Sequence, residues 1–377
     1  MNISVLTSEA WELTLDAPGR INIIGEHVDY NKGFVLPTAI DKKIRFKFRK
    51  TGSHHCTIYS ENVDASFNVD LASVKPSEQQ WHNYLLGVVN EIMQLTPKLH
   101  GFECSFSSDI PVGSGVSSSA ALTTGFAVGL NTLFKLDLSK LDIVALSQRA
   151  EHHYVGTKCG IMDQFASVMS KKDQVVLLDC NSLGYTYIPM QIAPYKLLLL
   201  NTNVSHNLAS GGYNTRRSEC EQGVAILQRK NPQVTSLREV SLAMLEAAKS
   251  DLPPIVYKRC RYVVDEIARV LKAVDALNAS NLPGLGQLMY ETHAGLQHGY
   301  EVSCAELDFL VEFSKSQDQI LGARMMGGGF GGCTINLIHE DILEDFRREV
   351  SDAYEQKFNL KLSSFVVSPS AGTTIVS

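Results

Sequence analysis

The sequence predicts a two-domain protein that mixes strands and helices. Its 377 residues exceed what one hydrophobic core usually serves, so two domains are expected. Apolar residues make up 44% and charged residues 20%, which is the balance of an ordinary globular chain. Strand-like and helix-like segments are interleaved up to about residue 180, whereas the later half is more helical. We therefore predict an N-terminal domain of residues 1–180 and a C-terminal domain of residues 181–377.

The N-terminal half is predicted to begin with a strand at residues 11–15, a turn at residues 16–19 and a second strand from Arg20. The segments that follow are assigned from apolar periodicity and flanking turn residues. Strands are predicted at residues 34–40, 44–48, 56–60, 65–69, 102–106 and 175–179. Helices are predicted at residues 80–95, 118–134 and 141–154, the last of them ending near Glu151.

The C-terminal half is predicted to begin with a strand at residues 196–201 and to continue mainly as helices. Helix-period spacing of apolar residues indicates helices at residues 214–229, 242–248, 257–277 and 285–293. A further helix at residues 339–358 presents one apolar face, made of Ile342, Phe346, Val350, Tyr354 and Phe358. Strands are predicted at residues 334–338, 363–367 and 374–376.

The charge and cysteine patterns exclude several classes of function. A net charge of −6 is the opposite of the basic balance that nucleic-acid binding requires, so we expect no nucleic-acid partner. None of the eight cysteines forms a Cys-x-x-Cys pair, so a structural zinc site is not expected. Their wide and irregular spacing favours reduced thiols over a disulfide framework.

The uncharged residues 110–134 have the length of a membrane span. Their many Ser, Thr and Gly residues favour a buried helix of a soluble protein instead. Residues 1–13 lack the basic patch and apolar core that are typical of a secretory signal. We therefore expect a cytoplasmic protein with no membrane partner.

Residues 111–121 combine glycine and serine in a pattern that favours phosphate binding. Gly113 and Gly115 allow a tight turn and a close backbone approach to a ligand, because neither has a Cβ. Ser117, Ser118 and Ser119 lie where a helix begins, and there a serine hydroxyl can satisfy the first N–H groups. Those N–H groups and the helix dipole make an anion site. An ordinary glycine turn with a serine cap is the alternative, and the chain contains no Walker A loop.

Glu26, His27 and Asp29 bring three hydrogen-bonding groups together between Gly25 and Gly33. Polar groups placed where a strand meets a loop are typical of binding sites on rigid scaffolds. Carboxylates and an imidazole can accept from, and donate to, the hydroxyls of a sugar. A solvated turn is the alternative. A metal site is less favoured, because such close neighbours rarely converge on one ion and no second ligand cluster is visible.

Asp163 and the glycine-rich residues 327–333 are further candidates. Asp163 lies near the start of a short helical run, where the helix dipole favours a carboxylate, although charges at helix starts are common. Gly327, Gly329 and Gly332 match G-x-G-x-x-G, but the dinucleotide-binding motif needs a strand before it and a helix after it. We predict a helix before and a strand after, so we reject a dinucleotide site. No protein-kinase signature occurs either. We expect these glycines to let one backbone pass close to another or to a ligand.

Taken together, three stretches resemble the GHMP kinases, the family of galacto-, homoserine, mevalonate and phosphomevalonate kinases. Residues 19–33 resemble the galactokinase signature, residues 111–121 the ATP loop of the family, and residues 327–333 its third, glycine-rich motif. Residues 159–164 add a fourth match, and the resemblance covers essentially the whole chain. The sequence departs from the family pattern, without changing a group assigned to the chemistry, at Val28 (usually Thr), Val116 (usually Leu) and Ala121 (usually Ser).

The resemblance implies a two-domain α+β GHMP-kinase fold with the active site in the cleft between the domains. It implies galactokinase activity, in which ATP and α-D-galactose give ADP and α-D-galactose 1-phosphate, the entry step of galactose catabolism. Mg²⁺ is the implied metal, and we expect a monomer with small-molecule substrates. One alternative is a related kinase for N-acetylgalactosamine or arabinose. Another is an inactive galactose sensor, which is less favoured because Asp163, Arg20, Glu151 and the loop serines are present.

The resemblance also assigns roles to individual residues. Asp163 matches the catalytic aspartate, and Arg20 matches its cationic partner. Tyr213, which on its own would indicate only packing after two glycines, belongs with the galactose-binding positions Glu26, His27, Val28, Asp29 and Gly160. The ATP-binding positions are Gly113, Ser114, Gly115, Val116, Ser117, Ser118 and Ser119, with Trp81 and Tyr84 beside the adenine. Ser119 and Glu151 match the magnesium ligands.

Overall fold

Three β-sheets organise the chain, which we describe from a computed structural model over residues 10–52, 54–111, 113–204 and 209–377. Val112, one residue of the predicted phosphate loop, lies outside the described residues. The strands of the described residues are β1 (Leu13–Asn22), β2 (Phe34–Val35), β3 (Pro37–Lys50), β4 (Cys56–Ser60), β5 (Ala65–Val69), β6 (Phe102–Ser108), β7 (Gln174–Asp179), β8 (Tyr185–Pro189), β9 (Tyr195–Asn201), β10 (Ile320–Met325), β11 (Cys333–His339), β12 (Ser363–Val367), β13 (Pro369–Ser370) and β14 (Thr374–Ile375).

Longer helices connect and cover these strands. In the described residues they are α1 (Gln80–Leu95), α2 (Ser118–Phe134), α3 (Lys140–Ala150), α4 (Met162–Met169), α5 (Ala209–Gln228), α6 (Leu242–Ala247), α7 (Pro254–Asn278), α8 (Leu282–Ala294), α9 (Ala305–Lys315) and α10 (Leu343–Phe358). Two short π-helical turns, Glu151–Val155 and Gly295–Tyr300, directly follow α3 and α8. The mixture of strands and helices confirms the predicted α+β class.

The largest sheet has seven strands and is made mostly from the N-terminal half. Its order is β14-β1-β3-β6-β4-β5, with β13 paired to β3. Its pairs are antiparallel except for β4 with β6. Helix α2 packs on β1 and β3. Because β13 and β14 come from the far end of the described chain and join this sheet, the two halves are interleaved there. The border at residue 180 stays a prediction.

The other two sheets are smaller. One has four strands in the order β10-β11-β9-β12, and the other has three in the order β2-β7-β8. In the four-stranded sheet, β9 and β11 pair without a break from Tyr195↔His339 to Asn201↔Cys333. Helices α8 and α9 pack on β10. This packing fixes the end of β10, from which the glycine-rich segment begins.

The turn predicted at residues 16–19 is wrong, because these residues lie inside β1. The strand pairs with β3 up to Pro18↔Lys43, shifts its register, and resumes at Arg20↔Ala39. Proline lacks an N–H donor and is tolerated at such an irregularity. Gly19 is needed there, because a Cβ would lie 2.7 Å from the carbonyl oxygen of Val116. The irregularity sets Arg20 beside the phosphate loop.

Several other elements differ from the prediction. The separate strands at residues 34–40 and 44–48 are β2 and one long strand, β3, whose polar residues 41–43 reach towards solvent without ending it. Strands β8 and β10 and helix α9 were not predicted. A strand, not a helix, therefore precedes the glycine-rich residues. Rejection of a dinucleotide site still follows, because β11 rather than a helix comes after them.

Within the described ranges, two apolar clusters form the core. The larger runs through both halves of the chain, and the smaller lies between β9, α9 and α10. The face predicted for α10 is confirmed, because Phe346, Val350 and Tyr354 are buried in the smaller cluster and Ile342 and Phe358 pack against it. In the part of the chain that the structure describes, no helix has both the length and the apolar character needed to cross a membrane.

Candidate active site

Two adjoining cavities share Arg20, Tyr84, Ser119, Asp163 and Gly328 as lining residues. The loop cavity, of about 410 Å³, is otherwise lined mainly by the glycine–serine loop and the glycine-rich segment. The Asp29 cavity, of about 350 Å³, is lined by most of the predicted sugar-binding residues. These sugar-binding residues line only the Asp29 cavity, and they are Glu26, His27, Asp29, Gly160 and Tyr213. Residues far apart in sequence thus meet at one place.

Arg20 and Asp163 form an ion pair where the cavities meet. Arg20 Nε donates to Asp163 Oδ1 at 2.8 Å, and Nη2 donates to Oδ2 at 3.1 Å. Arg20 Nη1 also donates to the carbonyl oxygen of Gly115 at 2.6 Å, which ties the loop to the same guanidinium. The Arg20 side chain is 5% exposed and that of Asp163 is 26% exposed. The cation is therefore buried, while the carboxylate stays open to a ligand.

The glycine–serine loop turns as the sequence predicts, but Ser117 does not cap the helix. Gly113 and Gly115 have φ of +73° and +72°, in the region that glycine adopts most easily. Ser117 precedes α2 and makes no capping hydrogen bond. Its hydroxyl donates to Asp163 Oδ2 instead, so a capping role for this serine is wrong. The first N–H groups of α2 keep their capacity to bind an anion in the loop cavity.

Glu26 is fully engaged by protein groups. Its Oε1 accepts from Arg324 Nη1 at 2.9 Å and from the Gly327 N–H at 3.0 Å, and its Oε2 accepts from Asn22 Nδ2 at 3.0 Å. Burial alone would raise the pKa of Glu26, but Arg324 and Arg20 outweigh burial and lower the pKa below its usual value. Glu26 is therefore ionised and joins β1 to the glycine-rich segment.

Arg324 is a functional residue that the sequence analysis missed. It is fully buried in β10, where its Nε donates to the Ile23 carbonyl at 2.8 Å and its Nη1 to that of Met325 at 2.6 Å. Its Nη2 donates to the carbonyl of Asn22. The available signal was an arginine within the otherwise uncharged residues 319–338. A cation in such a segment requires a partner, and Glu26 supplies it.

His27 stands between the cavity and a group of aromatic rings. Its ring centroid lies 5.3 Å from that of Tyr213 and 4.9 Å from that of Tyr300. Nδ1 lies 2.8 Å from Tyr30 Oη, and Nε2 lies 3.2 Å from the carbonyl oxygen of Gly328. Burial lowers the pKa of His27 to about 4, so the ring is neutral at pH 7. His27 therefore contributes shape and polarity to the cavity, not charge.

Asp29 and Gly160 are in contact, which explains why position 160 is a glycine. A Cβ at position 160 would overlap Oδ2 and Cγ of Asp29, so no larger residue fits beside this carboxylate. Burial, followed by the negative charge of Asp163, raises the pKa of Asp29 to about 7. At neutral pH this carboxyl group is partly protonated and can both donate to and accept from a hydroxyl.

Ser119 and Glu151 come together as the family resemblance implies. The Ser119 and Thr123 hydroxyls lie near Glu151, where they oppose the rise in its pKa, and Gln164 Nε2 donates to its Oε1 at 2.8 Å. Burial raises the pKa of Glu151 to about 7, with a further contribution from Asp163. The Gln164 carbonyl oxygen beside it is buried without a hydrogen-bond partner. Oxygen donors of this kind suit Mg²⁺, so these residues fit the implied metal.

The glycine-rich residues allow the close contacts that the sequence analysis expected. A Cβ at Gly329 would overlap the Val302 carbonyl, and one at Gly331 would overlap the Val204 carbonyl. At Gly327 a Cβ would lie 3.3 Å from the Gly115 carbonyl oxygen. All three glycines have positive φ, between +83° and +137°. The backbone therefore passes close to other chain segments, and this expectation is confirmed.

Four predicted residues do not reach either cavity. Val28 and Val116 are buried in the larger apolar cluster, and the Ser114 hydroxyl donates to the Pro111 carbonyl at 2.6 Å. Trp81 packs against Phe67, at a centroid distance of 5.2 Å. Ser114 and Val116 therefore support the loop and Trp81 supports α1, whereas Val28 packs beside Gly33. By contrast, Tyr84, one turn after Trp81 on α1, lines both cavities.

Comparison with known families covers both halves of the chain. Residues 83–171 match the GHMP kinases N-terminal domain, and residues 273–356 match the GHMP kinases C-terminal model. Residues 7–50 match the galactokinase galactose-binding signature. These segments contain Arg20, Asp29, the phosphate loop, Asp163 and the glycine-rich segment.

Individual proteins match over nearly the whole chain. A galactokinase of Thermosipho africanus is 38% identical over 362 residues, which is 96% of this chain and 99% of the relative. The crystal structure of Lactococcus lactis galactokinase complexed with galactose superimposes with a TM-score of 0.92 at 35% identity, covering 96% of this chain and 94% of that one. The Methanococcus jannaschii mevalonate kinase shares the fold, with a TM-score of 0.65 at 18% identity over 96% of this chain and 99% of that one. The chain therefore belongs to the galactokinase family of the GHMP kinases.

Proposed function

We propose that this chain transfers the γ-phosphoryl group of ATP to the anomeric hydroxyl of α-D-galactose. The observation that supports this most strongly is the Arg20–Asp163 pair at the junction of the two cavities. In our proposal the Asp29 cavity binds the sugar, and the loop cavity binds the triphosphate. Asp163, with one open side, faces the place where the two substrates meet.

Asp163 accepts the proton of the sugar hydroxyl, or orients that hydroxyl, as the phosphoryl group is transferred. Phosphoryl transfer depends mainly on positioning and charge neutralisation, so a single well-placed carboxylate suffices. Arg20 is always cationic, holds the Asp163 carboxylate through two hydrogen bonds, and offsets negative charge that develops nearby. Ser117 donates to the same carboxylate and so orients it.

The triphosphate is held by the N–H groups of residues 113–119 and the start of α2. In our proposal Ser119 and Glu151 hold Mg²⁺, which neutralises phosphate charge when it is bound. Tyr84 lines the loop cavity, and in our proposal it contacts the base. Trp81 supports α1 instead of touching the ligand, because it packs against Phe67.

Mg²⁺ affinity is expected to fall as the pH falls through neutrality. Because the pKa of Glu151 is raised to about 7, this carboxyl group is mostly protonated at about pH 6 and mostly ionised at about pH 8, and only the ionised form binds the metal. Calorimetry of Mg²⁺–ATP binding at these two pH values should show weaker binding at the lower one. Glu151→Gln should bind weakly at both, and an unchanged pH dependence in that variant would contradict the assignment.

Gly160→Ala is expected to weaken sugar binding. The new methyl group would displace Asp29, and losing one or two hydrogen bonds to the sugar should raise KM for galactose about tenfold or more. KM for ATP should change little. Gly211→Ala is the matched control, because a Cβ there meets no atom within 4 Å. Equal KM values for the two variants would argue against contact between Gly160 and Asp29.

Galactose-dependent release of ADP from the purified full chain tests the proposed function. A panel that includes galactose, N-acetylgalactosamine and arabinose separates the sugar kinases, with galactose expected to give the highest kcat/KM. Galactose binding without ADP release would indicate a sensor and overturn the proposal. All eight cysteines are unpaired thiols, which supports a reducing compartment such as the cytoplasm. A monomer stays a prediction that sedimentation can test.

A further inference from the structure

A series of hydrogen-bonded side chains leads from His27, which lines the Asp29 cavity, into the protein behind it. It runs from His27 through Tyr30 and Tyr300 to Cys220. His27 Nδ1 and Tyr30 Oη are 2.8 Å apart, Tyr30 Oη and Tyr300 Oη are 2.7 Å apart, and Tyr300 Oη and Cys220 Sγ are 3.2 Å apart. Tyr300 and Cys220 are essentially inaccessible to solvent, so these hydroxyl and thiol groups bond to protein atoms and not to bulk water.

The Gly328 carbonyl, on the other side of His27, determines which group donates in each of these hydrogen bonds. His27 Nε2 lies 3.2 Å from this oxygen. A carbonyl oxygen can only accept, so Nε2 must carry a proton. The imidazole is neutral, because burial lowers the pKa of His27 to about 4. Nδ1 therefore has no proton and must accept one from Tyr30.

Each following bond has only one possible direction. Tyr30 donates to His27, so its oxygen accepts from Tyr300, and the oxygen of Tyr300 accepts from the Cys220 thiol. Burial raises the pKa of Tyr30 and Tyr300 well above normal and that of Cys220 to about 12, so all three remain protonated donors. Asn31 lies near Cys220, whose pKa it influences, and its Nδ2 donates to the His27 carbonyl at 2.9 Å.

We propose that Tyr30, Tyr300 and Cys220 are positioning residues that hold His27 in the Nε2–H form, and that His27 in this form holds Gly328 between the two cavities. Both ring nitrogens of His27 are then taken by protein groups, so a sugar contacts the ring face or edge. Gly328 lines both cavities, and the N–H of the adjacent Gly327 is held by Glu26 at 3.0 Å. Glu26 and His27, which are consecutive in the galactokinase signature, thereby hydrogen-bond to Gly327 and Gly328, which are consecutive in the glycine-rich segment.

The proposal predicts that breaking this series of hydrogen bonds weakens the binding of both substrates together. The tautomer follows from the hydrogen-bond geometry and the burial of His27, whereas this kinetic consequence rests on the proposed function. Arg20 and Asp163 are not members of the series, so the chemical step itself should be little affected. The charged groups that act on His27 are Glu26, which favours its protonation, and Arg216, which opposes it. The uncharged rings around it belong to Tyr30, Tyr213 and Tyr300.

Nitrogen NMR of the full chain with ¹⁵N-labelled histidine tests the tautomer. The His27 signals are identified by their loss in His27→Gln. They should show a protonated Nε2 and an unprotonated Nδ1, and their shifts should not change with pH from about pH 5.5 to about pH 8. In Tyr30→Phe, Nδ1 loses its donor, so the ring should titrate closer to its ordinary pKa of about 6.5. A wild-type ring with a protonated Nδ1 at neutral pH would overturn the proposal.

Steady-state kinetics test the consequence. Tyr30→Phe should raise KM for both galactose and ATP about fivefold, with kcat changed by less than about twofold, the effect of one lost hydrogen bond on positioning. Tyr300→Phe should act in the same direction, whereas Cys220→Ser keeps a donor and should stay near wild type. These two variants also keep the test open if Tyr30→Phe does not fold. Unchanged KM values for both Tyr→Phe variants would overturn the proposal.

Tyr354→Phe is the matched control, because its buried hydroxyl donates to the Thr202 carbonyl at 2.9 Å within the smaller apolar cluster. This variant should lower thermal stability without moving either KM or the His27 spectrum. If it raised both KM values as Tyr30→Phe does, a general loss of stability would explain the results and the positioning role would be rejected. If the wild-type chain released no ADP, the proposed function would fail, while the NMR result would still decide the tautomer.

Discussion

Asp163→Ala is expected to lower kcat about 10²–10⁴-fold while galactose binding stays measurable. The substitution removes the group that accepts or orients the sugar proton, which accounts for the loss of rate. Glu26, His27, Asp29 and Tyr213 lie on other elements and still line the cavity. Turnover by a coupled ADP assay and galactose affinity by calorimetry measure the two effects separately. Turnover within about tenfold of wild type would contradict the assignment.

Asp142→Ala is the matched control for the possibility that Asp163 is only a favourable charge at a helix start. Both aspartates lie in the first turn of a helix, Asp163 in α4 and Asp142 in α3. Asp142 accepts from the Ser139 N–H at 2.9 Å and is part of a capping box. Its loss should cost about 1 kcal/mol of stability and leave kcat unchanged. Similar kcat values for the two variants would leave Asp163 without a catalytic role.

Among the variants discussed, Arg324→Met is expected to lower the free energy of unfolding most, by about 3–5 kcal/mol. It removes the ion-pair partner of Glu26 and leaves that carboxylate buried. Urea denaturation, followed by tryptophan fluorescence, measures the change. Arg348→Met is the control, because its ion pair with Asp345 is exposed and should contribute no more than about 1 kcal/mol. Equal losses for the two variants would show that burial of the Arg324 pair is unimportant.

The cost of Arg324→Met should also depend on pH. In the wild type the pKa of Glu26 is lowered in the folded state, so its contribution is present above its unfolded pKa and is lost as the pH falls through the folded one. Without Arg324, only Arg20 and the hydrogen bonds from Gly327 and Asn22 still oppose burial, so the pKa of Glu26 should rise and the folded variant should lose stability relative to the wild type as the pH rises. The gap between wild type and variant should therefore be larger at about pH 8 than at about pH 5. When Glu26→Gln is present in both proteins, the stability difference between them should be smaller.

Local pattern predicted most of the elements that have their own periodicity or flanking turns. Helices α1 and α2 begin and end where their apolar spacing and the flanking residues predict. The continuation of β1 through Asp16–Gly19 was not predictable in this way, because it depends on pairing with β3, more than twenty positions further along. Turn residues signal a turn only where no partner strand holds the backbone extended.

The site was predictable as a set of residues, but its internal bonding was not. The motifs identified Glu26 and His27 as sugar-binding, whereas the structure shows that much of their hydrogen-bonding capacity is directed to Arg324, Gly327 and Gly328. Ser117 likewise donates to Asp163 rather than capping α2. Such partners lie about 50 to 300 positions away, and only the fold decides which of several acceptors a hydroxyl or guanidinium reaches.

Strand β14 pairs with the outer side of β1, Leu15 with Ile375 and Asp16 with Thr374. During synthesis on the ribosome, β1 emerges long before β14 exists. Until β14 arrives, that side of β1 presents unpaired backbone groups that can join to another nascent chain. The N-terminal sheet therefore completes its folding late, and deleting residues 369–377 should favour aggregation on expression even though the deletion leaves every catalytic side chain in place.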